Sequence, residues 1–108
     1  MLTDEMRYKL MRVLEANPEM SQRAIAYELG VSLGRVNYCL QALIKKGIVK
    51  AKNFTDSRNK SAYMYLLTPR GVEQKSNLTL RFLQCKLNEY EELRAEIDQI
   101  RRDLKGRQ

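Results

Sequence analysis

The sequence predicts a mainly α-helical chain with one small β-hairpin: three short helices, the hairpin, and then a long C-terminal helix of coiled-coil type. Three observations point there. Apolar residues recur at helical spacing up to residue 46 and again after residue 68. Between these stretches stand two short runs containing β-branched and aromatic residues, separated by polar turn-formers. The last stretch carries an apolar heptad without a helix breaker.

The first helix starts at Thr3, a cap residue, with Asp4 and Glu5 in the turn where the helix dipole favours acids. Met6, Leu10, Val13 and Leu14 make one apolar face, and Asn17-Pro18 ends the helix because a residue before proline is pushed out of the α region. Ser21 caps a second helix whose buried side is expected to be Ala24, Ile25 and Leu29, and Gly30 stops it. Only Val31 separates that stop from Ser32, the next cap, and the third helix runs to about Lys46 and is closed by Gly47. Two helices joined by a short glycine-containing turn are the signature of a helix-turn-helix. Ile48 to Phe54 and Ala62 to Leu67 read as strands, joined by the turn residues Thr55 to Ser61. Thr68-Pro69 opens the last helix, with Thr as cap and Pro at the first helical position, and the helix is expected to reach about Lys105. The hairpin following the helix-turn-helix makes it winged. Residues 1–71 are read as the winged domain and 72–108 as a dimerisation helix.

Composition removes several functions. The chain has 108 residues and no His, so a His-based triad, a His-bound zinc and a His proton shuttle are excluded. Two cysteines, Cys39 and Cys85, are too few for a disulfide scaffold or a four-thiolate metal site. Cys39 falls on the core face of helix three and Cys85 at an outer heptad position beside Lys86, so they read as one inert core thiol and one incidental surface thiol, with a redox-sensing thiol as the lesser alternative. No pair of carboxylates, and no Cys with a base partner, can be placed in a pocket, so an enzyme is not expected and no cofactor is implied. No apolar run approaches the ~20 residues of a membrane span, and no signal-peptide stretch opens the chain, so a cytoplasmic location is expected.

Charge points to a polyanion. Lys and Arg total 20 against 13 Asp and Glu, for a net charge of +7. The first 71 residues hold 12 basic and 6 acidic side chains, and the remainder 8 and 7, so almost all the surplus lies on the winged part. On helix three, Val36, Cys39, Leu40 and Leu43 share a core-facing side. Gly34, Tyr38, Gln41 and Lys45 form the opposite stripe, flanked by Arg35 and Asn37. Arg matches guanine O6 and N7, and Asn or Gln matches adenine N6 and N7. Gly34 allows close approach, and the helix N-terminus at Ser32 favours a phosphate. A merely solvated helix face is the plain alternative, but the helix-turn-helix context and the basic surplus favour DNA. Lys50, Lys52, Arg58 and Lys60 make the hairpin basic, with Asn59 at its tip, suited to backbone or minor-groove contact. The candidate DNA-binding set is therefore Ser32, Gly34, Arg35, Asn37, Tyr38, Gln41, Lys45, Lys52, Arg58, Asn59 and Lys60.

The heptad begins at Leu83 (a) and continues through Lys86 (d), Tyr90 (a), Leu93 (d), Ile97 (a), Ile100 (d) and Leu104 (a). Only Lys86 breaks the apolar seam, and Ile at an a position suits two strands. Glu89 with Arg94, and Glu96 with Arg101, stand at successive g and e positions. A parallel in-register dimer sets these opposite charges against each other, whereas an antiparallel one sets like against like. A lone helix held by Asp98 and Arg102 would gain only a few tenths of a kcal/mol and leave the stripe in water. A homodimer through this helix is therefore expected. Before the seam, Leu78, Leu80, Phe82 and Leu87 point several ways, so this stretch is expected to pack on its own winged domain and on the partner's.

Ser21 to Gly47, the basic hairpin with Asp56 to Arg58 at its tip, and Leu67-Thr68-Pro69-Arg70-Gly71 together resemble the winged helix-turn-helix of the MarR transcription regulators. Val31 to Leu40 and Lys50 to Phe54 resemble its short EPS-associated subgroup, found with exopolysaccharide gene clusters. The resemblance implies a dimeric DNA-binding regulator with its recognition helix at about 33 to 46 and its wing at about 48 to 67. Longer MarR proteins build the dimer from both chain ends and hold a small ligand where it meets the winged domain. Here only a short stretch precedes helix one, so the ligand pocket is not carried over and no effector is named. The competing reading from another class is a protein-interaction adaptor that uses the winged fold and coiled coil without DNA. It would need an exposed apolar patch on helix three, where the sequence offers Tyr38 alone among polar residues.

Overall fold

The computed structural model describes residues 3–54 and 62–106, arranged as α1 (Asp4–Ala16), α2 (Gln22–Leu29), α3 (Leu33–Lys45), β1 (Val49–Phe54), β2 (Ala62–Leu67) and α4 (Pro69–Lys105). Each helix starts on the cap its sequence announces. The Thr3, Ser21, Ser32 and Thr68 hydroxyls accept from the backbone N–H groups of Met6, Ala24, Arg35 and Gly71. The turn between α2 and α3 is made by Gly30 at φ 67°, a left-handed conformation in which a side chain is strained. The Val31 N–H then donates to Ala26 O at 3.0 Å, closing the end of α2 in the manner of a Schellman cap.

The core lies where α1, α2, α3 and the base of the hairpin meet. Leu10, Met11, Leu14, Ile25, Val36, Cys39, Leu40 and Leu43 are essentially solvent-free, and Ile48, Val49 and Tyr65 close it from the sheet side. One detail differs from the sequence expectation. Ala26, not Ala24, joins Ile25 as the fully buried side of α2, and Leu29 is only partly covered. An eight-residue helix with apolar residues at 24, 25, 26 and 29 leaves its inward direction open, and packing against α3 decides it. On α1, Met11 enters the core with the expected Met6, Leu10 and Leu14, whereas Val13, also expected there, is only partly covered.

The strands pair antiparallel, with Val49 opposite Leu67, Ala51 opposite Tyr65 and Asn53 opposite Tyr63. Side chains alternate between the two faces. Val49 and Tyr65 therefore face the core, and Lys50 and Lys52 stand on the other side, exposed.

α4 runs for 37 residues, or ~55 Å at the helical rise. Its first half is docked on α1. Leu78 is buried, the Tyr8 and Phe82 rings stack at 4.8 Å, and Lys75 pairs with Glu15 at 2.9 Å. Beyond Phe82 the helix leaves the winged domain, giving the molecule an extent of 71 × 28 × 23 Å.

Candidate nucleic-acid interface

The face of α3 opposite the core is open. Gly34, Arg35, Asn37, Tyr38, Gln41 and Lys45 are all exposed, while Val36, Cys39, Leu40 and Leu43 are buried behind them. The sequence-predicted stripe is thus brought together on one surface. A Cβ built on Gly34 meets nothing within 4 Å, so no packing demand of the fold explains glycine there. Ser32 is committed to its cap, accepting from Arg35 N at 3.1 Å, and it stands at the edge of this surface. Tyr38 is 58% exposed, the largest apolar body within the polar stripe.

Asn37 is the member whose surroundings the sequence did not disclose. Its Nδ2 donates to Gln22 Oε1 at 3.2 Å, and Gln22 Nε2 donates to the Tyr65 hydroxyl at 2.9 Å. Gln22, in the first turn of α2, and Tyr65, on β2, were not among the predicted site residues. They are 43 residues apart, so no local pattern joins them.

Lys52 stands on the outer face of β1, exposed, with Lys50 two residues before it. Arg58, Asn59 and Lys60 lie outside the described residues. Cys39 is fully buried, and burial pushes its thiol up from its ordinary range. Cys85 is exposed.

Residues 3–50 match the family model described as "Winged helix-turn-helix DNA-binding". The three helices and the hairpin after them have the winged helix-turn-helix fold that this model describes. Among solved structures, the winged helix-turn-helix here is similar to a PadR-like transcriptional regulator from Bacillus cereus (TM-score 0.76, 16% identity, covering 86% of this chain and 95% of that one). It is also similar to a MarR/EmrR family transcriptional regulator from Acinetobacter sp. ADP1 (TM-score 0.65, 24% identity, 92% and 69% covered). A third similar structure is the PcaV transcriptional regulator from Streptomyces coelicolor in complex with its natural ligand (TM-score 0.67, 20% identity, 89% and 70% covered). No curated protein matches the sequence. The winged helix-turn-helix and the helix that leaves it are thus the architecture shared with regulators of the MarR and PadR types.

On α4 the predicted seam stands in water. Leu83, Tyr90, Leu93, Ile97, Ile100 and Leu104 are 40–72% exposed, and Leu80 and Leu87 are open beside them. Lys86, the seam's one interruption, has its ammonium 5.1 Å from the centre of the Phe82 ring and 3.2 Å from Glu89 Oε2. It covers the edge of the docked half of the helix. A depression between α1 and α2, lined by Lys9, Arg12, Val13, Ala16, Glu28 and Leu29, is an open surface hollow, not an enclosed ligand chamber. Among the described residues no helix is long and apolar enough to cross a membrane, and no group of acidic, Cys or His side chains could hold a metal ion.

Proposed function

We propose that the chain is a homodimeric transcriptional regulator that binds a palindromic site on double-stranded DNA. α3 enters the major groove, with Arg35, Asn37, Tyr38 and Gln41 reading bases and Gly34 permitting close approach. The wing grips backbone or minor groove through Lys52, Arg58, Asn59 and Lys60, and Lys45 and the α3 N-terminus at Ser32 meet phosphates. The observation that carries this reading is the two-sided character of α3: one face is solvent-free core, and the other is an exposed set of Gly, Arg, Asn, Tyr, Gln and Lys.

The dimer forms along Leu83, Tyr90, Leu93, Ile97, Ile100 and Leu104. An apolar stripe of this length on a helix that has left its domain favours a second copy. The helices run parallel. Glu89 meets the partner's Arg94, and Glu96 meets the partner's Arg101. Head placement supports the same direction. The seam starts just past the winged domain, so a parallel pair keeps both heads at one end, where two recognition helices can reach half-sites ~34 Å apart. An antiparallel pair would carry the heads to opposite ends of the paired helices.

The finer reading within the MarR-like regulators is the short EPS-associated subgroup, supported by Val31 to Leu40 and Lys50 to Phe54. Selection of bound duplexes from a random pool tests the function: an inverted repeat is expected. No enrichment even at low salt would favour the adaptor reading instead.

A further inference from the structure

We infer that Gln22 and Tyr65 hold Asn37 in the orientation that reads adenine, as positioning residues for base recognition. The inference rests on the reading that α3 enters the major groove. It deepens that reading by naming two residues on other elements and one base.

The hydrogen-bond chain has a direction. Tyr65 is the anchor: it is buried, its backbone N–H donates to Pro18 O at 3.1 Å, and its ring stacks on Tyr63. Its hydroxyl oxygen accepts from Gln22 Nε2 at 2.9 Å. With Nε2 engaged by the wing, Oε1 is turned to α3 and accepts from Asn37 Nδ2 at 3.2 Å. One N–H of Asn37 is thereby engaged. Its second N–H and its Oδ1 are left for a ligand on the exposed face. An N–H donor beside a carbonyl acceptor is the pair that meets N7 and the N6 amino group of adenine in the major groove. Guanine presents two acceptors on the same edge, so Oδ1 would face O6. Turning the Asn37 amide over would bring Oδ1 against Gln22 Oε1, acceptor against acceptor, and relieving that clash requires Gln22 to turn as well and the Tyr65 hydroxyl to change from acceptor to donor, so the three groups are set together. The wing strand and the first turn of α2 thus set what the recognition helix reads at this position.

The test is selection from a random duplex pool with the full-length chain, alongside binding to random-sequence DNA and thermal melting. The intact protein should prefer adenine at one position per half-site by about fivefold or more, the lower bound for a bidentate pair. Asn37→Ala should erase that preference. Gln22→Ala and Tyr65→Phe should reduce it below about twofold, a loss of most of the bidentate discrimination, while preferences elsewhere, random-DNA affinity and melting stay the same. Gln22→Glu, which still accepts from Asn37 and can accept from the Tyr65 hydroxyl, should retain it. Adding Gln22→Ala to Asn37→Ala should change nothing further at that position. The inference is overturned if Gln22→Ala leaves the adenine preference intact, or weakens all sequences equally as a phosphate contact would. It is also overturned if Asn37→Ala has no positional effect. In each of these cases DNA binding itself still stands, whereas an intact protein that enriches no sequence overturns the major-groove reading along with it.

Discussion

Gly71 packs so closely on Ile48 that a Cβ would overlap the Ile48 carbonyl oxygen and stand 3.1 Å from its carbonyl carbon. The same carbonyl accepts from the Thr68 N–H at 3.0 Å, and the Thr68 hydroxyl donates to Gly47 O at 2.6 Å. The first turn of α4 is therefore pinned to the start of β1, which sets the angle at which the long helix leaves the winged domain. Gly71→Ala places a methyl group against fixed backbone. Its gain in helix propensity is about 1 kcal/mol, and overpacking costs about 1–3 kcal/mol. Destabilisation is expected to win, lowering the melting temperature by several degrees, at roughly 4–8 °C per kcal/mol for a domain of this size. Unchanged or raised melting would mean that α4 can pivot away without loss.

Gly34 is the opposite case, a glycine with open space around it. Gly34→Ala should leave melting unchanged or raise it slightly, yet weaken DNA binding if the groove wall approaches there. Arg35→Ala, by contrast, should cost about 1–3 kcal/mol on the selected site and relax preference at the base it reads. Competition titrations measure both, and equal loss on selected and random DNA would remove Arg35 from base reading.

The wing is expected to act without regard to sequence. Lys60→Ala, or Lys52→Ala on the exposed face of β1, should weaken all duplexes alike and lower the slope of log affinity against log salt by about one. A salt titration that returns the parental slope would take that lysine out of the backbone footprint.

Helix direction is tested by charge. In a parallel pair Glu96→Arg alone, or Arg101→Glu alone, sets like charges together and weakens the dimer, and the double variant restores it. Each exposed pair is worth about 0.2–1 kcal/mol, so low salt is the sensitive condition. In an antiparallel pair that matches like residues, singles and double would associate as the parent does, and sedimentation equilibrium distinguishes the two patterns.

Much of this was legible because it is local chemistry. Ser21, Gly30, Ser32, Thr68 and Pro69 mark element ends by capping and φ preference, and each end falls where those residues set it. The exposed stripe of α3 follows from 3.6-residue periodicity once Val36, Cys39, Leu40 and Leu43 are buried. What escaped depends on tertiary approach. Gly71 looks like a weak point in a helix until Ile48 lies against it. Lys86 looks like a flaw in a heptad until it covers Phe82. Gln22 and Tyr65 are unremarkable residues until folding brings them together beside Asn37.

The number of chains that share one duplex is the decisive quantity. Sedimentation equilibrium of the protein with a selected inverted-repeat duplex should give a complex heavier than the duplex by two chains of 12.7 kDa, and Ile97→Lys should reduce it to weak single-chain binding. A complex with one chain per duplex, unaffected by Ile97→Lys, would contradict the proposed homodimer.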